Sequence, residues 1–538
     1  MPRFFKRITV SDIVAAVGIL AMTVLGLTLL SRALTWGVWA FSDSAEYIVS
    51  ARMLVAGRGL GIPSPDGGFM PLSLHPPLYP LVISVFLLLN IDPLNALPGL
   101  NLVLFAATIL VSGGLVYYLT RDALMAISAS ALVALPPTML SNFDGAMTEP
   151  LYIPLSLLAI LLLVAYWQKN NRAALVAAGI VTALAGLVRY NGLTILAVGL
   201  LVILLSGQPF RRRLQDAALF IAVGFGPLLV WFIHLYLQSG LVAARSFSSS
   251  GSLADKFQLF RKNFMETLVL WVPYIVKAQT WFQKVLVTYS LVGLSTLVGC
   301  LAWWRGFRKG ARRSPEVENG LKLMAVGFFS VVAYLAFLAI SFLFSSVTPD
   351  INDRTMAPLL PVAMLFLSAL LFITPRVFGL RRVFQIMPLI VVLVAGQFYY
   401  RQTSSLTSHR DQQSRGYAAP RWRNSGLVQA VRNLPADQLL ISNVPIPVLL
   451  YTDRFPYSIQ ELDLAQVQTD PAPYGEGDDP AQEVFRQDGA ALVIFQPELT
   501  NQMVSIYGVK GPDRVATLLA GLTLTDQTQD GYIFIHSK

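Results

Sequence analysis

A single cysteine, Cys300, stands in a chain of 538 residues, and that scarcity rules out an intramolecular disulfide and a cysteine-rich metal site. Charge is scarce as well: Asp, Glu, Lys and Arg together make up only 13% of the sequence. So few charges exclude a water-soluble assembly of domains. With 55% hydrophobic residues and a mean hydropathy of +0.59, the chain reads as an integral membrane protein. Acid is the scarcer sign, thirty Asp and Glu against forty Lys and Arg. In a membrane chain the resulting excess of +10 marks cytoplasmic loops and anionic headgroups, not nucleic acid. No convincing internal repeat or low-complexity tract stands out.

Apolar runs near the roughly 20 residues needed to cross a bilayer occur at 13–34, 98–119, 123–141, 149–167, 173–188, 191–206, 217–238, 283–304, 321–346, 356–374 and 383–400. The first is longer than a signal-peptide core and lacks a small-residue cleavage site, so it is read as retained. Segment 76–90 is shorter and opens with Pro76, Pro77 and Pro80. If it crossed, most basic clusters, such as Arg211-Arg212-Arg213, would fall outside; if it does not, they fall inside with Arg3, Lys6 and Arg7. The positive-inside bias therefore predicts a mainly α, polytopic membrane protein of about eleven transmembrane helices, with the N-terminus cytoplasmic and 76–90 re-entrant or interfacial. Stretches 36–97, 142–148, 239–282 and 347–355 then share the outer face. Residues 173–206 carry bases at both ends, which makes them a hairpin with Arg189-Tyr190-Asn191-Gly192 as the outer turn.

After residue 400 the composition changes. Residues 401–538 hold half of the acidic residues and no further span, which predicts a transmembrane module over 1–400 and a soluble, extracytoplasmic α/β domain over 401–538. Leu439–Asn443, Ala491–Phe495 and Tyr532–His536 read as buried strands. Ser425–Leu434 and Pro480–Gln487 read as helices.

Ionisable residues gather on the predicted outer face. Asp43 and Glu46, three apart at the start of a helix that Gly57 and Gly59 would terminate, place two carboxylates on one side. Desolvation there can raise one of them toward the working range of a base. The same spacing also suits a capping box with Asp43 as the cap. His75 opens a proline-fixed segment, where it is either structural or a donor to a phosphate or sugar hydroxyl. Asp144 and Glu149 share a loop without a neutralising base, although Glu149-Pro150 also suits a helix start. Arg354 is either a surface anchor paired with Asp350 or Asp353, or a partner for these acids. Arg189, at the hairpin turn, requires a carboxylate or a bound phosphate, because an unpaired buried guanidinium costs several kcal/mol. Residues alone permit a cavity holding an anionic lipid headgroup, or a transporter.

Asp43-Ser44-Ala45-Glu46-Tyr47, Ala56-Gly57-Arg58-Gly59-Leu60, His75-Pro76-Pro77-Leu78-Tyr79-Pro80, Thr148-Glu149-Pro150-Leu151, Leu187-Val188-Arg189-Tyr190-Asn191-Gly192 and Arg354-Thr355-Met356-Ala357-Pro358 occur in that order. Together they resemble bacterial GT-C glycosyltransferases, closest to the protein O-mannosyltransferase-like and aminoarabinose-transferase-like families. The resemblance implies transfer of a sugar from a polyprenyl-phosphate donor, with inversion, to a lipid, glycan or protein acceptor outside the cytoplasmic membrane of a bacterium. It implies Asp43 as general base, with Glu46, Asp144 and Glu149 as further catalytic carboxylates. Arg189, Arg354, Arg58 and His75 would face the donor phosphate. Many relatives carry an acid directly after the aspartate, where Ser44 stands here. Carboxylates suit divalent cations, but without clear metal-ligand spacing the expectation is metal-independent transfer with no cofactor. A transporter or flippase of lipid-linked saccharides is the alternative, and a non-catalytic assembly subunit the third reading.

Overall fold

Every apolar run named above lies on helix over nearly all of its described residues. The computed structural model describes residues 9–240, 252–274, 280–308, 315–345, 349–380, 382–412, 414–459, 490–496, 519 and 522–536. In chain order, α1 (Val10–Ala33) precedes α2 (Ser42–Val55), a hairpin of β1 (Gly61–Pro63) and β2 (Phe69–Pro71), and α3 (Leu78–Leu88). Then come α4 (Pro93–Thr120), α5 (Ala123–Ala134), α6 (Pro137–Phe143), α7 (Glu149–Lys169), α8 (Arg172–Val188), α9 (Leu193–Leu205) and α10 (Phe210–Ser239). They are followed by α11 (Leu253–Trp271), α12 (Trp281–Arg308), α13 (Pro315–Phe344), α14 (Asp353–Met356), α15 (Leu359–Phe378) and α16 (Arg382–Gln412). The remainder holds α17 (Pro420–Arg423), α18 (Gly426–Asn433), β3 (Leu440–Ser442), α19 (Pro445–Thr452), β4 (Tyr457–Ser458), β5 (Ala491–Phe495), β6 (Leu522–Thr528) and β7 (Gly531–His536).

Among the described residues, seven helices are long and apolar enough to cross a membrane on their own: α1, α4, α7, α10, α12, α13 and α15. The chain is a multi-pass membrane protein. Run 123–141 is one broken span, α5 and α6 meeting at 60°. Pro136 and Pro137 cause the break, since neither supplies an N–H and each pushes its predecessor out of the helix. The carbonyl of Leu135 freed at the bend accepts from Thr403 Oγ1 at 2.6 Å. Helices α8 and α9 form the predicted hairpin, but at about 26 and 20 Å they are shorter than the roughly 30 Å hydrocarbon core. Helix α3, about 16 Å long, is far too short to span, as its prolines indicate. Stretch 239–282, read as a loop, contains the amphipathic α11.

The chain divides into two compact units, neither continuous in sequence. The first comprises 1–35, 73–79 and 95–413; the second takes 36–72, 80–94 and 414–538. The expected boundary at 400/401 is thus displaced in two ways. Helix α16 runs unbroken to Gln412, because 401–412 contains no Pro or Gly, and its Thr403, Thr407 and Arg410 are buried. Those polar side chains serve the helical unit. In addition, most of the first predicted outer loop belongs with the C-terminal residues.

In the first unit α7 packs on α8, α8 on α10, α13 on α15 and α1 on α5. In the second, a five-stranded sheet has the order β4-β3-β5-β7-β6. Pairs β3–β4 and β3–β5 are parallel, whereas β5–β7 and β7–β6 are antiparallel. Leu440, Ala491, Val493 and Phe495 pack toward α18 with Trp422 and Val448, while Ile441, Leu492 and Ile494 fill the opposite face. This matches the three predicted strands and the helix at 425–434; the helix expected at 480–487 lies outside the described residues.

Candidate active site

Glu149 begins α7 at the positive end of the helix, and Pro150, with φ already set, stabilises that start. Its carboxylate is completely buried. Arg189 Nη1 lies 2.5 Å from Glu149 Oε1, and Arg354 Nε lies 3.0 Å from the same oxygen. Arg189 Nη1 also donates to Thr148 Oγ1 at 2.8 Å, and that hydroxyl donates to Glu149 Oε2 at 3.3 Å. The guanidiniums reach past the acid: Arg189 and Arg354 side chains are 16% and 28% exposed, Glu149 0%. Two guanidiniums and a helix N-terminus meet the one buried Glu149 carboxylate, and both guanidiniums keep some solvent exposure.

Local structure holds both arginines. Arg189 closes α8 in extended backbone, and the turn Tyr190–Gly192 leads into α9 as the hairpin reading requires. Gly192 lies so close to the preceding helix that a Cβ would sit 2.4 Å from Gly186 N. Arg354 sits in the first turn of α14, whose Asn352 and Thr355 form a reciprocal capping box. Tyr334 ties the two together: its hydroxyl accepts from Asn191 Nδ2 at 2.8 Å and donates to the Thr355 carbonyl at 2.7 Å. Tyr79 is fully buried within electrostatic reach of Glu149.

Asp144, expected to lack a base, pairs with Arg410 Nη1 at 2.5 Å, both side chains at least 94% buried. Arg410 Nη2 also donates to Ser141 Oγ at 3.0 Å, and Asn101 Nδ2 holds the carbonyls of Phe143 and Gly145 at 2.8 Å. Asp353, offered as a partner of Arg354, accepts at Oδ1 from Thr138 Oγ1 at 2.7 Å and from Trp271 Nε1 at 2.9 Å. His75 lies half-buried in the first unit.

Asp43, Glu46 and Arg58 belong to the second unit. Asp43 and Glu46 are half-buried one turn apart on α2. The capping expectation for Asp43 is corrected: the N-cap is Phe41, and Ser44 Oγ accepts from its N–H at 3.1 Å. Ser44 is fully buried, so the position where relatives carry a second acid is here a capping hydroxyl in a site costly for a charge. Helix α2 ends as predicted at Gly57, whose N–H bonds Leu54 O while Arg58 N–H bonds Met53 O. Arg58 itself is exposed.

Sequence reading singled out Glu149, Arg189 and Arg354 separately, and the fold joins them. It missed Tyr334, Asn101 and Arg410. For Tyr334 a signal existed, a phenol tip inside an apolar span; for Arg410, hidden in a polar tail, none did. Among the described residues no three of His, Cys, Asp and Glu cluster as metal ligands.

Residues 74–236 match the family described as dolichyl-phosphate-mannose-protein mannosyltransferase. No curated protein sequence matches the chain. Among solved structures it is similar to ArnT from Cupriavidus metallidurans bound to undecaprenyl phosphate, at 11% identity over 96% of this chain and 97% of that one, with TM-score 0.56. The apo state of ArnT gives 13% identity, coverage of 97% and 98%, and TM-score 0.56. The archaeal oligosaccharyltransferase AglB from Archaeoglobus fulgidus, in complex with an inhibitory peptide and a dolichol-phosphate, matches at 13% identity over 97% of this chain and 74% of that one, with TM-score 0.52. At such identities the likeness is one of fold.

Proposed function

We infer that this chain, a member of the GT-C superfamily of glycosyltransferases, moves a sugar from a polyprenyl-phosphate donor to an acceptor at the outer face of a bacterial cytoplasmic membrane. The observation that carries the reading is the pair of guanidiniums held on one buried carboxylate, Arg189 and Arg354 on Glu149. Guanidinium matches phosphate bidentately. Guanidiniums that are already organised stabilise charge growing on a leaving group without reorganising during the reaction. That ArnT was solved with undecaprenyl phosphate and AglB with a dolichol-phosphate agrees with a lipid phosphate as the donor's carrier.

In the proposed reaction the acceptor hydroxyl attacks the anomeric carbon while the Asp43 carboxylate takes its proton. The bond from that carbon to the phosphate oxygen breaks, and its electron pair leaves with the polyprenyl phosphate, countered by Arg189 and Arg354. Attack opposite the leaving group inverts the anomeric centre. General-base help of this kind is worth about 10²–10⁴ in rate. Glu149 acts here as the anchor of the arginines, Asp144 as the partner of Arg410, and His75 and Arg58 as further phosphate contacts. The transfer is proposed to be metal-independent, a reading supported by the arginines that engage Asp144 and Glu149, the acids offered for a metal.

The test incubates purified protein with a panel of polyprenyl-phosphate sugars and measures release of polyprenyl phosphate and transfer of sugar. Asp43→Asn is expected to lower transfer by about 10²–10⁴ while the protein remains folded. Movement of intact lipid-linked sugar across vesicles, with no cleavage of any donor, would replace this reading with that of a flippase.

A further inference from the structure

Helix α2 carries Asp43 in its first turn, and both of its ends are fastened to the C-terminal part of the second unit through one short helix, α19, which packs on it. At the far end, Arg52 Nη1 donates to the Leu450 carbonyl at 2.6 Å and to Asp453 Oδ1 at 2.9 Å. Leu450 lies in the last turn of α19, where carbonyls lack partners within the helix and the dipole favours a cation. The neighbouring carbonyl, Tyr451 O, is taken by the Arg432 guanidinium. Asp453 caps α19 with φ +54°, a left-handed position in which Asp and Asn are tolerated.

The near end is held through a relay. Tyr451 Oη donates to the Tyr417 carbonyl at 2.8 Å, and Tyr417 N–H donates to the Ala40 carbonyl at 2.7 Å. The Arg415 guanidinium lies 4.4 Å above the Trp39 ring, which in turn meets Phe41 at 5.1 Å. Gly416 between them has φ +70°, and a Cβ there would stand 2.4 Å from Ala40 O. Phe41 is the N-cap of α2, so residues 39–41 are pinned immediately before Asp43. The clasp therefore grips a rod of about 21 Å at both ends.

We propose that Arg52, Tyr451 and Asp453 are positioning residues that fix the helix carrying Asp43, which makes the C-terminal domain part of the mounting of the catalytic base. The proposal rests on the reading of Asp43 as that base. A base must be held within about 0.5 Å of its productive place, and a 1 Å misplacement costs about 10²-fold in rate. None of the three is predicted to touch donor or acceptor, so the loss falls on kcat.

The test compares wild type with Tyr451→Phe, Asp453→Asn, Arg52→Gln and Arg52→Lys, reading donor KM, kcat of sugar transfer and hydrogen exchange at amides 42–47. Phenylalanine and asparagine keep shape and backbone, so these two variants remain folded. The expected result is a loss of about tenfold in kcat for Tyr451→Phe and Asp453→Asn. Donor KM stays unchanged, exchange in α2 accelerates, and Arg52→Lys recovers part of what Arg52→Gln loses. Unchanged kcat with unchanged exchange overturns the proposal, as does a rise in donor KM at constant kcat. If wild type transfers no sugar from any donor, it is the functional reading that fails. The exchange data then decide the clasp alone: accelerated exchange supports it and unaltered exchange overturns it.

Discussion

At Glu149, removing the anion is more disruptive than removing either cation, because two guanidiniums are left facing each other beside a helix N-terminus. Breaking a buried pair from one side costs about 3–5 kcal/mol, so Glu149→Ala is expected to lower stability by about that amount in thermal unfolding. The same arrangement makes a sharper prediction. Polyprenyl phosphate should raise the melting temperature of Glu149→Ala more than that of wild type, since a phosphate can replace the lost carboxylate between the arginines. A chelator supplies a further check at this scale. If Asp144 and Glu149 are committed to arginine, sugar transfer should persist in EDTA, and a loss restored by Mg²⁺ or Mn²⁺ would contradict that assignment. Glu149 and both arginines of the central cluster were legible as residues out of place, charges in or beside apolar runs. Their pairing was not, because Glu149 and Arg354 stand 205 residues apart and only folding brings them together. The capping role that the sequence offered Asp43 falls instead to Ser44, one position on, which supplies the hydroxyl that the helix start uses.

Helices were read from the sequence where hydropathy alone decides, and misjudged where a break or a polar face intervenes. The hairpin of α8 and α9 followed from bases at both ends of one apolar run. Its turn depends on close approach, so Gly192→Ala must displace backbone and is expected to cost about 1–3 kcal/mol, measured by thermal unfolding together with weaker use of the donor as Arg189 shifts. The bend at Pro136-Pro137 was present in the sequence but absorbed into a single span. Its freed carbonyl identifies Thr403 as more than a tail residue: Thr403→Val should cost about 1–3 kcal/mol, the penalty of leaving a buried acceptor unsatisfied. The continuation of α16 past residue 400 was misassigned for the same reason. Polar composition signals water on average, but Thr403, Thr407 and Arg410 face the helical interior.

For the molecule as a whole, composition correctly announced a multi-pass protein with an α/β portion near its end. The division by sequence position did not hold, because contacts join 36–72 and 80–94 to 414–538. Hydropathy cannot reveal such a join, since it reports each segment's solvent and not its neighbours. The discontinuity bears on how the protein is made. Roughly 320 residues separate the two parts of the second unit, and at about 5–20 residues per second the ribosome needs on the order of 15–60 s to supply them. Throughout that interval the newly made α2 has no α19 to pack on its apolar residues, which include Tyr47, Ile48 and Met53. Chains stalled before residue 414 should therefore be cut by protease within 36–72, and chains released at full length should resist. Survival of the growing chain then turns on whether α2 is shielded, or the remaining residues are delivered, before proteolysis reaches it.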